Sequence, residues 1–429
     1  MQNEKSAISV LVIGAGIAGI ESSLLLADSG ANVYLVEKAS YFGGNVIKWE
    51  EVFPNMECAT CMIAPKQQEL LQHDNIKLLT LSEVQSVEGS AGDFSVKVKK
   101  KARYVNLDNC IGCNECFAPC PVDVDNEFEQ RLSKRKAIYI PCAGALPNAP
   151  VIDTNNCLRF KGESCQLCQE ACMFEAIDYT QQDEELELNV DAIIVATGFR
   201  SLDPTQTPQY GYKKLKNVYS MVEVERLCAS NGPTQGQIVL RNGETPKSAA
   251  IVHCVGREEK GYCSSVCCMA SIKQAHFLKN KIPELKISEL YSDLCVPGRE
   301  YQRFYEEVRD SGVGFIRATV NAVTQKGTGL DVRYTTEDGE EHTLSVDMLI
   351  LAPAIEPAVG SDRLAEILAI ARDEHGFLRE MEPDVDSIDT FREGIFVAGC
   401  AQSPKDVPDT VAEAEATVGR ILSVSRQRA

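Results

Sequence analysis

Apolar residues dominate AISVLVI (7–13), recur at helical spacing after the glycines to about Asp28, and dominate again in NVYLV (32–36). A short apolar run bounded by turn residues predicts a buried strand, and the 3.6-residue recurrence between two such runs predicts a helix packed on them. Gly30 ends that helix and Glu37 closes the second strand. The outline returns later in the chain. SAAIVHCVG (248–256) predicts a strand, SSVCCMASIKQAHFLKN (264–280) a helix and KISELYSD (286–293) another strand. DAIIVATGF (191–199), SVDMLILAPA (345–354) and GIFVAGC (394–400) read as further buried strands, with 345–354 expected to return to the first sheet beside 191–198. Alternation in FSVKVKK (94–100) and LDVRYTTEDGEEHTLSV (330–346) predicts hairpins.

The first unit carries Gly14, Gly16 and Gly19 in GxGxxG spacing. The first glycine permits the tight turn and the second lets backbone approach a pyrophosphate. The third lets helix and strand pack, and the helix N-terminus favours the phosphate charge. Glu37, at the end of the second strand, is placed to accept a ribose hydroxyl. The pair Gly43 and Gly44 in YFGGN can lie along a larger cofactor. With Thr197 and Gly198 in DAIIVATGF and Gly399 in GIFVAGC, these resemble the signatures of two-dinucleotide-domain flavoproteins, whose first site holds FAD. In those proteins an Asp follows the last glycine and binds the ribityl chain; here Cys400 takes that place. Lys405 stands just before the closing helix, where it can approach the flavin or lie on the surface.

The chain has 18 cysteines among 429 residues, which in a reducing compartment points to metal or redox chemistry. VNLDNCIGCNECFAPCPVD (105–123) spaces Cys110, Cys113, Cys116 and Cys120 as C-x2-C-x2-C-x3-C-P. Cys157, Cys165, Cys168 and Cys172 repeat the pattern with a longer first step. This is two-cluster ferredoxin spacing, in which the fourth cysteine crosses to the other cluster. Cys110, Cys113, Cys116 and Cys172 would then hold one [4Fe–4S] cluster, and Cys157, Cys165, Cys168 and Cys120 the other. Zinc in tetrahedral groups is the alternative. Cys142, Cys228 and Cys295 belong to no visible motif.

Two more groups remain. Cys58 and Cys61 form C-x2-C shortly after the glycine pair, either as a redox pair, as disulfide reductases carry, or as two buried thiols. In the second unit VGREEKGYC offers no GxGxxG. Instead Cys254, Cys263, Cys267 and Cys268 gather at a strand end and helix start, where a third cluster would gain from the helix dipole as phosphate would. Buried cysteines or a vicinal disulfide are the alternatives.

Charge narrows the partners. The formal net charge of -19 argues against nucleic acid and anionic lipid. No stretch approaches a membrane span, and MQNEKSAISV has no cleavable signal, so a cytoplasmic protein is expected, meeting a membrane only through a partner.

The expected architecture is α/β, a two-dinucleotide-binding-domain flavoprotein like thioredoxin and glutathione reductase. Its FAD domain would span 1–104, 183–242 and 345–429, with a ferredoxin-like insertion at 105–182 and a second βαβ domain at 243–344. The order of GAGIAG, ECATCMIAPK, CIGCNECFAPCPV, the second cysteine set, HCVG…YCSSVCC and AGCAQSPKDVPDT resembles the family of heterodisulfide reductase A subunits. It is also similar to the A subunit of quinone-interacting membrane-bound oxidoreductases. The resemblance implies an oxidoreductase with FAD and [4Fe–4S] clusters, working beside other redox subunits, with a homodimer in the complex. In some members the flavin bifurcates electrons. It also implies a further cluster on Cys254, Cys263, Cys267 and Cys268. Long members carry extra terminal regions, so a shorter electron-relay form is expected here. The alternative is an NAD(P)H-dependent disulfide reductase using Cys58 and Cys61.

Overall fold

A computed structural model describes residues 7–428; the first six residues of the MQNEKSAISV start lie outside them. Along the chain, β1 (Ser9–Ile13), α1 (Ile17–Asp28) and β2 (Asn32–Val36) form the first βαβ unit, and α2 (Ala59–Gln72) leads to β3 (Ile76–Leu79). Beyond the cysteine-rich segment come β4 (Ala192–Val195), α3 (Met221–Cys228), β5 (Ser248–Val255), α4 (Cys267–Lys281) and β6 (Lys286–Tyr291). The chain then adds β7 (Met348–Pro353), β8 (Ile395–Val397) and α5 (Val407–Arg428).

The first sheet is parallel throughout, in the order β8-β4-β1-β2-β3. Alternate residues of β1 enter opposite cores: Val10 and Val12 pack with α1 and α5, Leu11 and Ile13 with the other face. Burial on both faces is why this strand reads as an unbroken apolar run. The antiparallel strands Ser82–Ser90, Asp93–Lys100 and Glu184–Val190 cover the second face.

One expectation fails in the second sheet. β7 does not return to the first sheet. It pairs in parallel with Val218–Ser220 and with β5. Residues 218–228 likewise pack into the second core, through Tyr219, Val224 and Leu227. The second domain therefore reaches back to about residue 218 and forward to Pro353, beyond the 243–344 boundaries. An apolar strand buried on both faces carries no mark of which parallel sheet it enters. The expected hairpin of 330–346 forms, as Gly329–Thr336 paired with Glu341–Val346.

The cysteine-rich insertion has little regular structure and a small apolar cluster. Charged ties hold it down. Arg226 on α3 is 2% exposed and grips Glu129 of the insertion with both arms, at 2.9 and 3.0 Å. Its third nitrogen donates to the Lys48 carbonyl of the first domain at 3.2 Å. Arg103 donates to the Ser40 and Ala149 carbonyls, at 2.5 and 3.1 Å. Among the described residues no helix is long and apolar enough to cross a membrane.

Removing one partner of a buried pair strands the other, at about 3–5 kcal/mol. We therefore predict that Arg226→Ala loosens the insertion before the sheets. Hydrogen exchange should rise by roughly two to three orders of magnitude over residues 105–180, with the strands of the first sheet unchanged.

Candidate functional site

The carboxyl ends of β1, β4 and β8 lie side by side, so Gly14, Thr197 and Gly399 share one edge of the first sheet. Crevices at such strand ends are where open α/β sheets bind ligands. Backbone contact shapes this one. A Cβ on Gly14, at φ +103, would sit 2.4 Å from the Ala196 carbonyl oxygen. A Cβ on Gly19 would sit 1.9 Å from the Gly14 oxygen. Gly16 heads α1 with no side-chain cap, leaving first-turn N–H groups for an outside acceptor. The Gly43 N–H donates to the Ala15 carbonyl at 2.8 Å, which brings Gly44 against Gly16.

Polar groups gather around this cradle. Glu37 accepts the Ala15 and Ala39 N–H groups at 2.9 and 2.8 Å. Desolvation holds its carboxyl above the usual range, against the pull of those amides. The Thr197 hydroxyl, next to Gly198, is buried without a hydrogen-bond partner. The Gly399 N–H donates to Glu413 of α5 at 2.6 Å, and Glu413 pairs with Lys405 at 3.3 Å. Lys405 also donates to Gln402 and Ser403, so it is a largely buried, tethered cation at the strand end. Glu413 escaped sequence reasoning, because nothing in an alanine-rich helix marks the residue that faces the strand end. The buried Cys400 thiol donates to the Lys405 carbonyl at 3.3 Å, and burial pushes it up to about 11. An orphaned hydroxyl, uncapped N–H groups and a glycine cradle fit a dinucleotide.

The insertion holds two hollows. Cys110, Cys113, Cys116 and Cys172 line one of about 340 Å³, solvent at its mouth included. Cys120, Cys157, Cys165 and Cys168 line the other, of about 350 Å³ on the same measure. Each hollow thus takes its fourth cysteine from the other run of the sequence. Apolar walls surround them: Ile111, Phe174 and Ile177 in the first, Ile138, Ile152 and Leu167 in the second. The Ala176 N–H donates to the Cys172 sulfur at 3.3 Å, and the Tyr179 hydroxyl lies 3.0 Å from that of Cys168. Burial, with Cys168 nearby, pushes the Cys116 thiol up to about 12. Among the described residues no three His, Cys, Asp or Glu side chains converge to hold a single ion. Four thiols ringing an apolar hollow suit a polynuclear cluster better than one tetrahedral ion.

The third cysteine group lies at the edge of the second sheet. Cys254 ends β5 at φ +57, Cys263 follows in the loop, and Cys267 and Cys268 begin α4. The Cys254 and Cys268 sulfurs lie 4.0 and 3.7 Å from the Asp293 carbonyl oxygen. Arg257 stands beside Cys254, which raises the guanidinium further, and pairs with Asp293 at 2.7 Å. The first turn of α4 has no side-chain cap. Behind it His253 and Glu289 meet at 2.6 Å, both fully buried. Thiols, a guanidinium and a free helix start fit a cluster here too. Cys295, assigned to nothing by the sequence, donates its backbone N–H to the Cys268 sulfur at 3.4 Å.

Cys58 and Cys61 form a disulfide at the start of α2, with Cys61 exposed. The hairpin carrying Cys58 meets the second domain, where Lys273 donates to the Glu51 carbonyl at 3.0 Å. Cys142 is half-buried beside Arg226 and Lys48, and Cys228 is buried in the second core.

Residues 12–68 match the NAD(P)-binding Rossmann-like domain family. The A subunit of the H2:CoB-CoM heterodisulfide,ferredoxin reductase of Methanothermobacter thermautotrophicus is 38% identical, over 97% of this chain and 64% of that protein. The iron-sulfur A subunit of the CoB–CoM heterodisulfide reductase of Methanocaldococcus jannaschii is 37% identical, over 96% and 64%. Over nearly its whole length this chain is similar to heterodisulfide reductase A subunits. It spans less than two thirds of the length of those relatives. In fold it is similar to T. acidophilum thioredoxin reductase, with TM-score 0.53 at 13% identity, covering 98% of this chain and 99% of that one. Lactococcus lactis thioredoxin reductase gives TM-score 0.53 at 12% identity, covering 97% and 98%. The fold is thus that of the two-domain flavoprotein reductases, as expected.

Thiolate reactivity follows exposure and pKa. On the reduced, metal-free chain at about pH 8, iodoacetamide is predicted to mark the exposed Cys61, Cys113 and Cys263 first and to spare Cys400. Peptide mass spectrometry gives the order.

Proposed function

We propose that the chain is the FAD and iron–sulfur electron-transfer subunit of a heterodisulfide-reductase-like complex, an oxidoreductase that relays electrons between partner subunits. The observation that carries this reading is the pair of hollows, each ringed by four thiols drawn crosswise from two cysteine runs. FAD would supply the step that accepts two electrons together and passes them on singly.

The chain's own residues do the rest. The first turn of α1 holds the pyrophosphate, with Gly14, Gly16, Gly19, Gly43 and Gly44 keeping side chains out of its way. Glu37 receives a ribose hydroxyl on its remaining lone pairs. The Thr197 hydroxyl gives the cofactor its missing partner, beside Gly198 and Gly399. Lys405, held by Glu413, places a positive charge at that edge. Cys110, Cys113, Cys116 and Cys172 bind one cluster, and Cys120, Cys157, Cys165 and Cys168 the second. Cys254, Cys263, Cys267 and Cys268 hold the third, where the second domain of a reductase would take its nicotinamide.

Partners are other redox subunits, with a homodimer inside the assembly and bifurcation at the flavin as an added capacity. Large exposed apolar residues around the first hollow support docking: Ile111 is 60% exposed, Met173 84% and Phe174 42%. The acidic balance supports a protein that binds neither nucleic acid nor anionic lipid itself, and a cytoplasmic subunit that meets a membrane only through a partner is the location that goes with this reading.

Anaerobically prepared chain should carry one FAD and about twelve irons with matching acid-labile sulfide, at four irons per cubane. Zinc without sulfide would refute the reading. Gly16→Val should abolish FAD retention while leaving the iron count unchanged.

The Cys58–Cys61 disulfide favours a second reading, an NAD(P)H-dependent disulfide reductase. It requires NAD(P)H to bleach the flavin of the isolated chain. The relay reading predicts no bleaching, and equal bleaching of the wild type and of Cys58→Ser/Cys61→Ser by a chemical reductant.

A further inference from the structure

Five thiols, not four, stand at the third site. Cys254 and Cys268 both lie against the Asp293 carbonyl, and Arg257 faces Cys254 and Cys263. These three sulfurs are tied to one polar neighbourhood. Cys267 comes next to Cys268 in the first turn of α4. Consecutive helical residues point about 100° apart. Cys268 is turned inward and almost wholly buried, and the partly exposed Cys267 thiol reaches its sulfur by a hydrogen bond.

Cys295 arrives from the loop after β6, two residues beyond Asp293. Its N–H is bonded to the Cys268 sulfur at 3.4 Å. Its half-buried thiol lies within electrostatic reach of both Cys268 and Cys263. A cubane has four iron corners. If Cys254, Cys263 and Cys268 take three, the fourth has two claimants, one from the helix start and one from the loop.

Resting on the reading that a cluster occupies this site, we infer that Cys295 is a ligand-competent thiol that shares the fourth corner with Cys267. Either residue then keeps the cluster when the other is lost. The two ligands differ in surroundings. Cys267 sits at the positive end of a helix, and Cys295 sits in a loop outside it. The identity of the ligand therefore alters the electronic signature of the cluster.

The test is iron and sulfide analysis with EPR of the reduced full chain, prepared anaerobically as wild type, C267A, C295A and C267A/C295A. Wild type and both single variants should hold about twelve irons and the double variant about eight. The C267A spectrum of the third site should differ from that of C295A. The eight irons of the insertion serve as an internal folding control, and Cys→Ser versions replace any variant that loses them. A fall to about eight irons in either single variant overturns the shared corner, as does a double variant that keeps about twelve, or identical spectra from the two single variants. About eight irons in the wild type itself is a separate failure, that of the third cluster.

Discussion

Two of the seven buried residues in the insertion's apolar cluster are cysteines, Cys116 and Cys168. Their neighbours there are Val105, Ile138, Ile152, Ala176 and Ile177, all small or medium-sized. So little apolar surface cannot offset the ordering entropy of a long segment with almost no regular structure. Small domains of this kind gain stability from metal, because binding to the ligands is part of the folding free energy. Burial keeps the Cys116 thiol protonated, so binding its sulfur as thiolate would release a proton. The architecture around the insertion follows from this weakness. Arg226 and Arg103 reach in from the host domains and hold the segment by charge and carbonyl contacts.

The host domains have the opposite economy. Their sheets are buried on both faces and glycines of the first are pressed to backbone contact, so their edges are packed by the chain's own residues. The first sheet presents uncapped N–H groups and an orphaned hydroxyl; the second presents sulfur at the equivalent strand end and helix start. A helix N-terminus stabilises negative charge of either kind, so one topology serves a phosphate group or a thiolate-bound cluster.

What the sequence made legible was local. Gly14, Gly16 and Gly19 announce a strand–turn–helix because each is required within a few residues of the others. The cysteine runs are legible for the same reason. Legibility stopped where contacts are distant in sequence. Arg226 and Glu129 are 97 positions apart, and neither residue type signals a buried pair. Cys295 reaches its thiol neighbours only because β6 returns the chain beside β5. Glu413 faces Gly399 through the angle at which α5 leaves the sheet. The strand Met348–Pro353 was recognisable as a strand, but its sheet was not, since apolar residues buried on two faces match either core.

The clasps between the domains have a consequence for timing. Lys273 bridges Glu51 and Glu225, Arg226 joins three segments, and Tyr301 donates to Asp406 at 2.5 Å just ahead of α5. These bonds tie the first domain, the second domain and the insertion to one another at several points. On the proposed relay reading, such ties would set the spacing between redox stations at folding, like the pitch of fixed rungs. Gating of the proposed current would then come from outside, by which protein sits against which face and for how long.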